Sequence, residues 1–138
     1  MNHYNGLIDP LFVYSQVRYN RIVRSVAKED LFRLPLLGFF LRMLGTIPVV
    51  RPQDTGGDKE EQRRLANQSA INAMAKVLVD GDCLAIFPEG TSHNNSDILT
   101  LKTGFARAAL TALETSENIP NVTIIPVGLN YDEKNRFR

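Results

Sequence analysis

One stretch constrains the fold of this chain more than any other. It is Phe87-Pro88-Glu89-Gly90-Thr91-Ser92, entered from the apolar run Cys83-Leu84-Ala85-Ile86-Phe87. The run has the composition and length of a buried parallel strand. Pro88 fixes φ and removes a backbone donor, so the strand cannot continue as a central ladder. Gly90 admits a positive φ or the close approach of a ligand. A carboxylate and two hydroxyls are thereby delivered to the C-terminal end of a strand, where open α/β sheets bind their ligands. The competing reading is an ordinary strand exit with a solvated Glu89.

Helices alternate with strands along the rest of the chain. Asp9-Pro10 reads as N-cap and first residue of a helix running to about Arg18. Arg21 to Ala27 alternates β-branched and polar residues and reads as a strand. Glu29-Asp30 opens a very apolar helix ending at Leu44, with Pro35 either starting its regular part or kinking it. Gly45 closes that helix. Thr46 to Val50 is a second strand, which Pro48 places at an edge or ends early. A helix from about Lys59 to Val79 sets Leu65, Ile71, Met74, Val77 and Leu78 roughly on one stripe. A helix over Phe105–Leu113 and a last strand over Val122–Val127 complete the pattern. This alternation predicts an α/β fold, a mostly parallel sheet flanked by helices. With 138 residues and no repeat or linker, the expectation is a single domain over 1–138, partial and truncated at both ends.

Composition narrows the function classes. A net charge of +1 gives no bulk electrostatic case for nucleic acid. Cys83 is the sole cysteine, so no internal disulfide forms, and its mid-strand position predicts a small buried hydrophobe. No His/Cys spacing for a metal is present. The start lacks the basic and apolar regions of a signal peptide, so none is expected. The apolar helix to Leu44 is short and broken by Arg33 and Arg42, which argues against a membrane span.

The chemistry begins at His3 and Asp9. Six positions separate them, about 240° around a helix, so they do not share one helix face. The pair works if His3 lies on the loop and Asp9 caps the helix after it. Asp9 then accepts from one imidazole nitrogen and leaves the other to take a proton from a hydroxyl. That is the base and orienter of a triad without a protein nucleophile. The competing reading is a plain N-cap beside a surface histidine.

Taken together these blocks resemble the glycerolipid acyltransferases, the glycerol-3-phosphate and 1-acylglycerol-3-phosphate O-acyltransferases. Four blocks match in order: Asn2-His3 to Asp9-Pro10; Gly45 to Arg51; Phe87 to Ser92 with Lys102-Thr103-Gly104; and Ile124 to Gly128. The family's common form has four residues between His and Asp; this chain has five. With Asn5 two after the histidine, the longer form resembles the fungal-type glycerol-3-phosphate/dihydroxyacetone-phosphate acyltransferases and some bacterial relatives. Ser92-His93 followed by Asp97-Ile98-Leu99 leans the same way.

The resemblance implies that His3 is the general base on the acceptor hydroxyl and that Asp9 orients it. It implies that Arg51 binds the acceptor phosphate, a task suited to a guanidinium with two parallel donors. Glu89 and Gly90 would shape the acceptor site, Thr91 and Ser92 would supply hydroxyls near the phosphate, and Lys102 would be a second phosphate contact. Glu89 would bond a glycerol hydroxyl or hold Arg51; His93 receives no role. The implied donor is acyl-CoA or acyl carrier protein, and the acceptor glycerol-3-phosphate, with lysophosphatidate as alternative. No metal or organic cofactor is implied, because the thioester carries the activation. The implied location is a membrane surface, on its cytoplasmic face. The apolar helix over 31–44 is expected to be buried, with an acyl groove or bilayer contact through Phe39, Phe40 and Leu44 as the other reading. A different class also stays open: a non-catalytic fragment that binds a phosphate ligand, needing Arg51 and Lys102 but no base.

Overall fold

The computed structural model describes residues 14–15, 22–50, 60–91, 93, 97–116 and 121–129. Within them three strands form one parallel sheet: β1 (Val23–Lys28), β2 (Ile47–Val49) and β3 (Cys83–Ala85). The order is β2-β1-β3, so β1 is central. Val26 stands opposite Ile47 and Lys28 opposite Val49, whereas Val23 stands opposite Cys83 and Ser25 opposite Ala85. The two neighbours are therefore staggered, β3 on the first half of β1 and β2 on the second. Pro48 sits in β2, on the flank away from β3, where a missing donor is tolerated.

Parallel strands need crossovers, and the helices supply them. A 3-10 turn (Glu29–Arg33) and helix α1 (Pro35–Met43) join β1 to β2; helix α2 (Glu60–Val79) lies between β2 and β3 in the chain; helix α3 (Gly104–Thr115) follows β3. Pro35 resolves the ambiguity of the apolar stretch. It occupies the first turn of α1, and Leu34 before it is extended. A residue preceding proline is pushed out of the α region, so the stretch breaks into two elements. Gly45, at φ +64°, ends the turn after α1.

The core lies between the sheet and α2. Ala70, Ile71, Met74 and Val77 of α2 meet Ile47 of β2 and Ala108 of α3, with Val26, Val49, Leu84 and Ile86 packed against them. Ala108 and Ala112 of α3 are fully buried. Their small side chains let α3 approach closely, and the Arg107 guanidinium reaches across to Gln68 of α2 at 2.8 Å. At the N-terminal end of the strands, Arg24 donates to Asp82 at 3.2 Å, joining β1 to the turn before β3.

Four expectations change. Leu65 is exposed, so the buried stripe of α2 begins at Ala70. Cys83 is half-buried, because it begins β3 instead of lying inside it. Val122–Val127 forms no strand: 121–129 has no regular structure, and Ile124 and Ile125 are exposed. Pro126 removes a donor from the middle of that segment, and no described strand pairs with it. The apolar helix is not buried. Leu36 is 73% and Phe39 60% exposed, and Phe40, Met43 and Leu44 also face outward. The reason is that α1 is held along one narrow line. Gly38 is buried against the Phe32 carbonyl, and the Arg42 guanidinium donates to that same carbonyl at 3.1 Å.

That contact is testable. A Cβ at Gly38 would stand 2.3 Å from the Phe32 oxygen, whereas one at Gly104 meets nothing within 4 Å. Gly38→Ala is expected to destabilise the protein by about 1–3 kcal/mol in urea unfolding. Gly104→Ala is expected to stay within about 0.5 kcal/mol of the parent.

Candidate active site

All three strands run the same way, so their C-terminal ends share one edge of the sheet. β2 leaves that edge through Val50 toward Arg51, and β3 leaves it through Ile86 and Phe87 into Pro88-Glu89-Gly90. Arg51 itself lies outside the described residues, as do His3, Asp9 and Ser92. What the structure brings together is Glu89, Gly90 and Lys102, with His93 added.

The strand breaks as its residues dictate. Pro88 and Glu89 form a turn, closed by the Gly90 amide donating to the Phe87 carbonyl at 3.1 Å. Gly90 takes φ +71°, a region L side chains rarely enter. The Gly90 amide is thereby committed to the turn. Farther along the chain, the Lys102 amide donates to the Pro88 carbonyl at 2.7 Å. The Lys102 stem crosses the face of Gly90, its Cγ 3.5 Å from where a Cβ would stand. Lys102 is exposed, and among the described residues its ammonium has no ion-pair partner. Thr91 is exposed next to the turn.

Glu89 is not solvated. It is 3% exposed. A carboxylate taken out of water must be paired or hydrogen-bonded. Its Oε2 meets Nε2 of His93 and accepts the Leu99 amide at 3.3 Å. His93 had no role by sequence and here touches the most buried acid of the described residues. A histidine four residues after a glutamate would share a face in a helix, but this segment is a loop, so that spacing carried no signal.

The sequence also missed a buried hydroxyl chain. The Tyr14 hydroxyl donates to Ser25 Oγ at 2.7 Å, and Ser25 Oγ lies 3.2 Å from Thr46 Oγ1. Ser25 and Thr46 are buried on β1 and just before β2. Tyr14 is helical, as expected for the segment after Asp9, and this bond ties it to the central strand. Beside β2 a cleft of about 660 Å³ opens between the 3-10 turn and α2, with Phe32, Ile47, Val50 and Ala70 on its walls and Glu29, Arg33 and Arg42 also lining it. Phe39, Phe40 and Leu44 do not line it.

Comparison with known proteins gives consistent findings. The acyltransferase family model matches residues 1–130. The chain is 41% identical over 84 residues to glycerol-3-phosphate O-acyltransferase 1 of Saccharomyces cerevisiae, a match covering 61% of this chain and 11% of that protein. It is 30% identical over 139 residues to the 1-acyl-sn-glycerol-3-phosphate acyltransferase of Borreliella burgdorferi, covering 99% of this chain and 46% of that protein. A lyso-ornithine lipid O-acyltransferase of Rhizobium meliloti is 28% identical over 106 residues, covering 77% of this chain and 32% of that protein. The chain thus spans from about a tenth to about half the length of these relatives. No solved structure matches.

Gly90→Ala is expected to cost about 1–2 kcal/mol, because the residue must hold a left-handed backbone conformation. The same unfolding measurement on Thr91→Ala, exposed one position later, is expected to stay within about 0.5 kcal/mol of the parent.

Proposed function

The chain belongs to the acyltransferase family, and from that premise we propose that it transfers a fatty acyl group from acyl-CoA or acyl carrier protein to a hydroxyl of glycerol-3-phosphate. The observation that carries this reading is the Glu89–Gly90–Lys102 arrangement at the C-terminal edge of the sheet. A lysine ammonium with no ion-pair partner among the described residues, next to Gly90, suits a phosphorylated acceptor. The yeast relative, with the higher identity over its matched segment, 41% against 30%, favours glycerol-3-phosphate. The Borreliella relative, matched along nearly the whole chain, keeps lysophosphatidate as the second reading.

In this mechanism His3 takes the proton of the acceptor hydroxyl while Asp9 accepts from the other imidazole nitrogen and fixes the tautomer. The acceptor oxygen attacks the thioester carbonyl directly, with no acyl-enzyme. As the tetrahedral intermediate collapses, the C–S bond breaks and the imidazolium returns its proton to the departing thiolate. The oxyanion donor is an amide other than that of Gly90, which the turn already uses. Arg51 and Lys102 hold the phosphate, and Thr91 and Ser92 offer hydroxyls beside it. We assign the donor's acyl chain to the cleft beside β2, whose wall reaches Val50, the residue before Arg51.

We also assign the protein to a membrane surface, at the cytoplasmic face where these donors are supplied. The outward side of α1 supports this: Leu36, Phe39, Phe40 and Met43 are exposed together, and the helix contains no acidic residue. No helix among the described residues is long and apolar enough to cross a membrane, so α1 would lie in the interface.

Thioester turnover with palmitoyl-CoA tests the chemistry. His3→Ala is expected to lower glycerol-3-phosphate-dependent CoA release by about 100-fold or more. Arg51→Ala is expected to raise the acceptor KM by about 10- to 100-fold with little change for the donor; equal effects on both substrates would count against phosphate binding. Initial rates with glycerol-3-phosphate, dihydroxyacetone phosphate and lysophosphatidate rank the acceptors. A binder without catalysis would show no acceptor-dependent release at all.

Cosedimentation with vesicles of phosphatidylcholine and phosphatidylglycerol tests the location. The double substitution Phe39→Glu, Phe40→Glu is expected to weaken binding by about 10-fold or more, since two buried aromatic rings are lost from the interface. Binding unchanged by it would remove α1 from the membrane contact.

A further inference from the structure

We propose that His93 is a positioning residue for the acceptor: it pins the Glu89 carboxylate at one oxygen so that the other is presented to the phosphorylated polyol. The proposal rests on the acceptor reading of the Glu89 site given above, and adds to it the loop histidine that the family blocks leave without a role. Three observations carry it. Glu89 is buried, its side chain 1% exposed, and a charge so placed needs partners. Both of its contacts, the His93 ring nitrogen and the Leu99 amide, fall on Oε2. Among the described residues no donor meets Oε1.

These contacts also have a topological consequence. His93 and Leu99 sit at the two ends of the polar loop that follows the turn. One carboxylate oxygen thus gathers both ends of that loop onto the end of β3. Beyond it, the Lys102 amide is fixed to the Pro88 carbonyl, and its side chain crosses Gly90. The clasp therefore sets the orientation of Glu89, next to a Lys102 that is anchored separately through its amide. Without the His93 contact, Glu89 keeps, among the described residues, only the Leu99 amide, and its outer torsion, which is broad, is no longer set from two sides. The acceptor then loses a fixed acid, while Lys102 stays anchored through its amide. The donor's thioester does not depend on either group, so the loss falls on one substrate.

The test is kinetic and spectroscopic together. His93→Ala is expected to raise the KM for glycerol-3-phosphate by about 10-fold, the scale of one hydrogen bond to a charged group, and to leave the KM for palmitoyl-CoA within about twofold. His93→Gln, whose side-chain amide can donate to the same oxygen, is expected to recover most of that loss. In nitrogen-15 spectra, Glu89→Gln is expected to shift the His93 ring nitrogen, and His93→Ala to speed hydrogen exchange at the Leu99 amide. A KM for glycerol-3-phosphate unmoved by His93→Ala, or both substrate KM values raised equally, overturns the proposal. So does a His93 ring nitrogen indifferent to Glu89→Gln. Should His93→Ala fail to fold, His93→Gln against Glu89→Gln reads the same contrast: the first near wild type, the second with a raised acceptor KM. Titration of the wild type with glycerol-3-phosphate separates the two levels of the argument. Binding without acyl transfer sinks the enzymatic reading alone, and the His93 variants then decide the clasp through that binding. Binding unchanged in both His93 variants sinks the clasp alone. A wild type that neither binds nor acylates glycerol-3-phosphate sinks both.

Discussion

The parallel pairing of β1 with a neighbour on each side is the constraint from which the rest of the structure follows. Parallel neighbours cannot be joined by a tight turn, so each connection must carry the chain back across the sheet. The 3-10 turn and α1 do this between β1 and β2, and α2 bridges β2 and β3 in the chain. The same parallelism puts the ends of β2 and β3 at one edge. Val50 and Glu89, far apart in sequence, thus both follow strands that end at that edge, before any side chain is considered. The stagger of the register matters too. β3 pairs only with the first half of β1, so the chain leaves the ladder after Ala85 and still has Ile86 and Phe87 to cover before the turn. Glu89 consequently lies in the shelter of the structure, and its burial follows from where the ladder stops.

Burial of that carboxylate changes what the site can be. A solvated glutamate would be a flexible acceptor of hydrogen bonds. One that is removed from water has to be satisfied by fixed groups, and the fixed groups here come from the loop that follows it. The polar loop is therefore part of the site's architecture. Gly90 allows this closeness twice over. Its positive φ closes the turn, and its missing side chain lets the stem of Lys102 pass. A buried carboxylate and the stem of a lysine thus meet at the same turn, a combination suited to an acceptor with both hydroxyl and phosphate groups.

What was legible in the sequence is what depends on local covalent geometry. Pro35 separates two helical pieces, Pro48 confines β2 to a flank, and Gly45 and Gly90 take positive φ; each follows from the residue itself and its immediate neighbours. The strand leading to Glu89 and the long helix before it were readable for the same reason, as short apolar and amphipathic patterns. What was not legible depends on partners distant in the chain. Hydrophobicity over 31–44 could not tell a buried helix from an outward-facing one, because the difference is made by Gly38 and Arg42 meeting the Phe32 carbonyl. The segment 122–127 has strand-forming residues but no strand beside it among those described, and composition alone cannot supply a ladder. His93 was opaque because a loop has no period from which its contact with Glu89 could be inferred. The proposed base pair His3 and Asp9 rests on the family blocks, and the nearest structural anchor to it is Tyr14, bonded to Ser25.

The exposed apolar helix and the acidic site are connected by the way the chain is routed. β1 ends at Lys28 on the same edge as Glu89, and the chain passes directly into the 3-10 turn that holds α1. Because β2 is parallel to β1, α1 must then run back toward the opposite edge, so its first turn, with Leu34 and Leu36, is the part nearest the site edge. A helix of nine residues is about 14 Å long, comparable to the sheet it returns along. It is locked to the body through a buried glycine and one guanidinium, and its apolar side chains are left outside. Burying them elsewhere in the domain would require α1 to rotate about its axis, and Gly38 forbids that rotation: no other residue of the helix lacks the Cβ that would strike the Phe32 carbonyl. The outward face is therefore a consequence of the packing, and whatever covers it must approach from outside the chain's own described core. A lipid surface would do so without disturbing the edge proposed to bind the acceptor.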